Sequence, residues 1–330
     1  MSRRWLRLAS VIGILAWMPL LPAYSDMNRG VWTQAAPAPT KRTEVAVAAL
    51  SDNIYVVGGF EKPSLGNVIH LAITPSVEAY DPSTDQWSKK ADMPVGLHHA
   101  GIGTAGGRLY VIGGYKQSGL SVWNPVATVY AYDPSSNSWT GRASMPTARG
   151  ALSVAEVDGK LYAIGGYDGK ANSAAVEVYD PARDSWETRA SLPTPRDHLT
   201  SVAVGGKIYT IAGRLNGDYQ QNLSVAQVYD PVADRWSRIA DLPTARSGLT
   251  AAAVGGKIYV LGGEAPDGTF KENEAYDPAR DLWQAMPPMP TARHGLGSAV
   301  VQDRIYVVDG GPTPGGSFSN VNEVFTPSNP

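Results

Sequence analysis

The sequence contains no cysteine. That absence excludes disulfides, thiolate metal ligands and a cysteine nucleophile. Phenylalanine is scarce: four residues, against 9 tryptophans and 16 tyrosines. An excess of charge of either sign is also missing, and a formal net charge of −2 gives no global case for nucleic acid as a partner. Beyond the N-terminal segment no apolar run is long enough to span a bilayer. A phosphate-cradling loop is missing as well. Gly255-Gly256-Lys257 lacks the required glycine spacing and the following Ser/Thr, and it runs on into Ile258-Tyr259-Val260-Leu261, an apolar β-type run with no room for a helix.

Glycine, proline, tryptophan and tyrosine are abundant, with 35 Gly and 25 Pro, a mix that suits many short strands joined by turns. At the N-terminus, Arg3, Arg4 and Arg7 lead into an apolar run from Leu8 to Leu21, and Ala23 and Ser25 supply the small residues of a cleavage site. Residues 1–25 therefore read as a secretory signal peptide cut after Ser25. The alternative is an uncleaved anchor, which the short run and Pro19 argue against. Ser2 to Arg7 loosely resembles a twin-arginine export signal. The mature chain, 26–330, is expected to be extracytoplasmic (periplasmic or secreted), with no membrane span.

The rest of the chain is a repeat. Tryptophans stand at Trp32, Trp87, Trp139, Trp186, Trp236 and Trp283, and a tyrosine follows each after 23 residues: Tyr55, Tyr110, Tyr162, Tyr209, Tyr259 and Tyr306. Three residues later comes a glycine pair or a close relative: Gly58-Gly59, Gly113-Gly114, Gly165-Gly166, Ala212-Gly213, Gly262-Gly263 and Asp309-Gly310. Tyr-Asp-Pro precedes the later tryptophans, starting at Tyr80, Tyr132, Tyr179, Tyr229 and Tyr276. A period of 47 to 55 residues implies a propeller or an array rather than a mosaic of domains. Each unit holds four strand-like runs, a to d. In the fifth they are Ser247–Val254, Lys257–Gly262, Glu274–Tyr276 and Leu282–Ala285. The last unit lacks its final tryptophan, whereas Val31-Trp32-Thr33-Gln34 is a d strand without a unit. The N-terminal strand is therefore expected to complete the last of six blades, which removes open sheet edges.

The double glycines, tyrosines and tryptophans at this spacing resemble the kelch repeat family across the whole mature chain. The resemblance implies an all-β, six-bladed propeller with four antiparallel strands per blade over residues 26–330. It is far less specific for function, since the family includes sugar enzymes, peptide-binding adaptors and scaffolds.

Strand alternation sends loops b–c and d–a to one face. The tryptophan-to-glycine-pair spacing is 26 in every unit, whereas the pair-to-next-tryptophan spacing runs 29, 26, 21, 24 and 21. Most of this variation falls in the b–c loop, so the b–c/d–a face is the candidate for binding. Five d–a loops carry an arginine ten residues after the tryptophan: Arg42, Arg149, Arg196, Arg246 and Arg293; the second unit has Leu97. They either bond loop carbonyls as repeat architecture or ring the mouth for a carboxylate or sulfate. Positions one or two beyond hold Glu44, His98, His99, Asp197, His198, Ser247 and His294, and the residues after the glycine pairs include Tyr115, Tyr167, Arg214 and Glu264. Together these form either a solvated rim or a mouth for a polar or acidic ligand, or for acid–base chemistry. Histidines 98, 99, 198 and 294 come from three different units with no ligand spacing, and the sequence assigns neither a metal nor a cofactor. The longest b–c loops, Glu61–Ser76 and Lys116–Thr128, hold His70 and Trp123, the latter a ligand platform or a pin for its own loop.

Two functions follow. One is a binding module for a protein or glycan, an acidic one among the options. The other is an enzyme. Gly263-Glu264-Ala265 is similar to the segment that carries the catalytic glutamate of bacterial periplasmic sialic-acid mutarotases, which implies Glu264 as base. The next residues, Pro266 to Phe270, depart from that segment, with Phe270-Lys271 where the family has arginine. Copper radical chemistry of the galactose-oxidase type needs a cysteine–tyrosine crosslink, and the chain has no cysteine.

Overall fold

The computed structural model describes residues 29–62 and 72–328. The expected signal peptide and His70 lie outside these residues. Among the described residues there is no helix, hence none long and apolar enough to cross a membrane.

Six four-stranded antiparallel sheets carry the repeat. The fifth is Thr250–Val254, Lys257–Leu261, Asn273–Asp277 and Leu282–Ala285, in that order from a to d. Strand a starts three residues later than the sequence pattern suggests, because Ser247 belongs to the d–a loop, where it bridges Glu264. The sixth sheet is built from Gly297–Val301, Arg304–Val308 and Asn322–Pro327, and Gly30–Gln34 from the other end of the described chain pairs along its outer edge. Trp32 lies opposite Phe325, just as Trp87 lies opposite Tyr80 and Trp283 opposite Tyr276.

The a strands are neighbours in a cycle. Ala46–Leu50 lies beside Gly101–Ala105, followed in turn by Ser153–Val157, Thr200–Val204, Thr250–Val254 and Gly297–Val301, and this last lies beside the first. The repeated aromatics join the sheets. The Trp186 ring packs 5.1 Å from Tyr179 in its own sheet, and its Nε1–H donates to the Ala143 carbonyl of the preceding sheet at 2.8 Å. Tyr110 in the second sheet meets Tyr179 in the third at 5.7 Å. The aspartates of Asp-Pro-x-x-Asp-x-Trp are turn residues: Asp277 accepts the Ala279 N–H, and Asp281 accepts from Tyr276 Oη and from the Ala240 N–H of the preceding sheet.

The glycine pair has a steric cause. At Gly166, with φ +102°, a Cβ would stand 2.7 Å from the Gly150 carbonyl oxygen. Without one, the d–a loop closes onto the end of strand b and sets Gly150 opposite Tyr167.

Candidate functional site

The same closure repeats in every sheet and brings the sequence-selected positions together in pairs. His98 bridges Tyr115, Asp197 bridges Arg214, Ser247 bridges Glu264, His294 bridges Gly311, and Thr43 pairs with Phe60. One residue further along each loop comes a ring of six: Glu44, His99, Ala151, His198, Gly248 and Gly295. Their backbones form a closed cycle of hydrogen bonds. His99 N–H donates to Glu44 O, Ala151 to His99, His198 to Ala151, Gly248 to His198, Gly295 to Gly248 and Glu44 to Gly295, over 2.7 to 3.2 Å. All six have positive φ, between 50° and 62°. Glycine meets that requirement at least cost, and alanine adds only a methyl; glutamate and histidine there are strained.

The repeated arginines do not ring the mouth, which corrects the expectation that they bind ligand. Arg42, Arg149, Arg196, Arg246 and Arg293 are each 0% exposed. Arg149 donates to Gly165 O (2.8 Å), Thr147 O (3.0 Å), Ala163 O (3.0 Å) and Glu177 Oε2 (2.5 Å). Arg42, Arg246 and Arg293 pair likewise with Glu78, Glu274 and Glu323. Arg196 has Gln227 instead of a carboxylate, and burial pushes its pKa down to about 10. In the second sheet Leu97 replaces the arginine and Tyr130 stands where the glutamate would be, both in one apolar cluster. Loss of both charges together is the mark of a structural pair.

The residues beyond the arginines do line cavities. One, of about 260 Å³, is lined by Tyr115, Trp123, Tyr167, His198 and Arg214 among others. A second, of about 230 Å³, shares Trp123 and Arg214 and adds Phe60, His99, Tyr219, Glu264 and His294. Trp123 does more than pin its own loop: its ring lies 6.1 Å from Phe60 of the first sheet and 5.4 Å from His99. On the far side of the ring of six, an axial channel is lined mainly by Ala, Val, Gly, Ser, Thr and Leu of the a strands.

The hydrogen bonds at the mouth fix the tautomers. His98 Nε2 lies 2.9 Å from the Val122 carbonyl, which can only accept, so that nitrogen carries the proton. Burial pushes His98 down to about 4, so the ring is neutral and its Nδ1 accepts from His99 Nδ1 at 2.6 Å. His99 Nε2 faces Glu44 Oε2, 3.0 Å away. Burial also pushes His99 well below its usual value. His198 Nδ1 donates to Asp197, and Nε2 accepts from Arg214 Nη2 at 2.7 Å. Arg214 continues to Glu264 Oε1 at 2.7 Å and Ser247 Oγ at 3.4 Å. Asn172 and the Gly217 N–H anchor the other oxygen of Asp197.

His294 is 1% exposed, and neither ring nitrogen has a hydrogen-bond partner. Its Nδ1 sits 3.3 Å from Glu44 and 3.4 Å from Glu264. Burial opposes its protonation, but the two carboxylates prevail and raise its pKa. For Glu44, burial alone would raise the carboxyl, but the surrounding imidazoles, His99 first, hold it well below the usual range.

Among the selected residues, Glu44, His99, Tyr115, Tyr167, His198, Arg214, Glu264 and His294 line the two cavities, whereas His98, Asp197 and Ser247 are fully buried and line neither. Tyr219 was missed by sequence reasoning, although it lines the second cavity with the Arg214 guanidinium 5.8 Å from its ring. The available signal was an aromatic in the Asn216–Asn222 stretch of a b–c loop.

Comparisons with known proteins concern the repeat. The model described as KLHDC2/KLHL20/DRC7 Kelch-repeats domain matches residues 79–241, and the model described as Kelch motif matches 41–94 and 245–290. Kelch-like protein terF of Aspergillus terreus is 35% identical over 127 residues, 38% of this chain and 27% of that protein. Beta-scruin of Limulus polyphemus is 31% identical over 137 residues, 41% of this chain and 14% of that protein. The chain thus spans about a quarter or less of the length of these relatives. The solved structure of YjhT superposes with a TM-score of 0.74 at 16% identity, covering 87% of this chain and 95% of that one.

Proposed function

Because the chain is a kelch-repeat β-propeller, we propose that it is an exported six-bladed binding module that holds a small, carboxylated, carbohydrate-like ligand at its b–c/d–a mouth. Six blades closed by the N-terminal strand are supported by the six sheets, by the pairing of Gly30–Gln34 with Asn322–Pro327 and by the cycle of backbone bonds through the ring of six.

One observation carries the reading of the site. The ionisable residues at the mouth, Glu44, His99, His198, Arg214, Glu264 and His294, include no side chain that holds the same position in more than two units, yet they converge on cavities edged by Trp123 and Tyr219. Desolvating them costs free energy that the propeller does not require, as the glycines at equivalent positions demonstrate. Arg214 and His294 offer positive charge to a carboxylate, the carboxylates of Glu44 and Glu264 accept from hydroxyls, and the aromatics offer flat apolar faces to a sugar ring.

The test is thermal unfolding of the chelator-treated chain against neutral sugars, acidic sugars including sialic acid, and short acidic peptides. A ligand at about 100 times its Kd adds roughly 2.7 kcal/mol, which raises the midpoint by a few degrees. An acidic sugar is expected to give that shift, and Arg214→Ala to remove it. A shift with peptides alone would move the function to protein binding.

A second reading, a mutarotase-like epimerase, is favoured by the proximity of Glu264 and His294, 3.4 Å apart in the same cavity. Arg214 also supplies in space the guanidinium that the 264–271 segment lacks. Sugar ring opening needs a base and an acid, and these two groups are placed to supply them. Loss of mutarotation in Glu264→Gln with the acidic-sugar shift retained would support this reading.

A further inference from the structure

Three of the ring-of-six positions stand out. Gly248, Gly295 and Ala151 are what a left-handed backbone favours or tolerates; Glu44, His99 and His198 are not. Those three place one ligand atom each within 4.8 Å of one another. From this geometry we infer that Glu44, His99 and His198 form a mononuclear site for a divalent first-row transition-metal ion at the centre of the mouth.

The hydrogen bonds orient the right atoms, although Arg214 Nη2 occupies His198 Nε2 in the metal-free chain. His99 Nε2 and Glu44 Oε2 face each other at 3.0 Å, a gap bridged by a proton in the metal-free chain and open to a metal ion that displaces it. Two ligands on one zinc-like ion, with bonds of about 2.1 Å, stand roughly 3–3.5 Å apart, so this pair already has coordination spacing. Each histidine gives its other nitrogen to a fixed partner: His99 Nδ1–H to His98, and His198 Nδ1–H to Asp197. A ligating imidazole commonly shows this outer support, which fixes the tautomer that presents Nε2. Two imidazoles and a carboxylate suit Zn2+, Co2+ or Fe2+ and leave positions open for a substrate oxygen or water.

Charge agrees. Glu44, Asp197 and Glu264 set three carboxylates against the Arg214 guanidinium and the His294 imidazole, which lies between Glu44 and Glu264. In the metal-free chain Arg214 Nη2 holds the His198 lone pair, but the same guanidinium keeps Glu264 and Ser247 as partners when an ion takes that nitrogen. The inference does not depend on the sugar reading, since the ion is bound by the chain alone.

The probe is Co2+. The full chain, stripped with chelator, is titrated with Co2+ by equilibrium dialysis and visible absorption, then challenged with Zn2+. The expected result is about one equivalent per chain, d–d absorption of a low-coordinate ion, and displacement by Zn2+. Glu44→Gly, His99→Gly and His198→Gly each lower affinity roughly 100-fold or more, whereas Asp197→Asn lowers it by about 10- to 100-fold. Proton NMR of the unsubstituted chain gives an independent reading: two hyperfine-shifted exchangeable resonances, from the Nδ1–H groups of His99 and His198. Failure of the unsubstituted chain to retain stoichiometric Co2+, or glycine variants that bind as tightly as it does, would overturn the site. The sugar panel uses chelator-treated protein, so its failure and the failure of this site are separate results.

Discussion

Two layers of the same loops, two residues apart in sequence, have opposite characters. The arginine layer repeats in five of six units, is fully buried, and spends its donors on carbonyls and one acidic or amide partner within its own sheet. The layer formed by Glu44, His99, Ala151, His198, Gly248 and Gly295 repeats in backbone above all: φ and hydrogen bonds recur around the whole ring, but no side chain occurs in more than two units. Repetition of a side chain marks what each sheet needs for itself. Variation on a repeated backbone marks where the assembled molecule differs from its own pattern.

Breaking the first layer has the largest expected effect. Arg149→Ala leaves Glu177 buried without its partner and costs about 3–5 kcal/mol in denaturant unfolding. The second sheet supplies a sharper form of the test. Arg149→Leu with Glu177→Tyr copies the Leu97 and Tyr130 combination and is expected to recover stability to within about 2 kcal/mol of the unsubstituted chain.

Asp309 comes next. It occupies a left-handed position, φ +58°, where four other sheets have glycine, and neither carboxyl oxygen has a hydrogen-bond partner. Burial raises its carboxyl to about 8 from an ordinary 3.8, although Arg42 Nε lies 3.4 Å away. The folded chain keeps a proton that the unfolded chain releases. Asp309 therefore contributes stability below about pH 4 that is lost as the pH rises through about 8. Asp309→Gly is expected to flatten that slope and to stabilise the chain by about 2 kcal/mol at pH 8, read from unfolding midpoints across pH. A smaller effect belongs to the sheet-to-sheet bonds: Trp186→Phe removes the Nε1–H bond to Ala143 and costs about 1 kcal/mol.

Much of this was legible in the sequence because repeats convert spacing into geometry. Trp, Tyr and Gly-Gly at fixed intervals gave the strands, and the unmatched Val31-Trp32-Thr33-Gln34 pointed to the outer edge of the last sheet, where it pairs with Asn322–Pro327. Gathering of the residues just after the arginines and glycine pairs on one mouth followed from the same logic. The arginines misled because a guanidinium in a loop looks alike in sequence whether it faces solvent or folds back on a glutamate some 30 residues away, as Arg149 does on Glu177. Covariation within the chain was the missed signal: Leu97 and Tyr130 change together. Tyr219 and the Glu44–His99–His198 cluster were hidden because side chains from different units meet only once the sheets are set around a common centre.

The most direct test of the contrast is equilibrium unfolding of the triple variant Glu44→Gly, His99→Gly, His198→Gly at neutral pH. If these residues serve the mouth rather than the fold, the variant folds and stays within about 1 kcal/mol of the unsubstituted chain, because glycine relieves three left-handed side-chain positions while packing is lost. A loss above about 3 kcal/mol, comparable to removal of one buried arginine, would make the cluster part of the architecture and contradict the account.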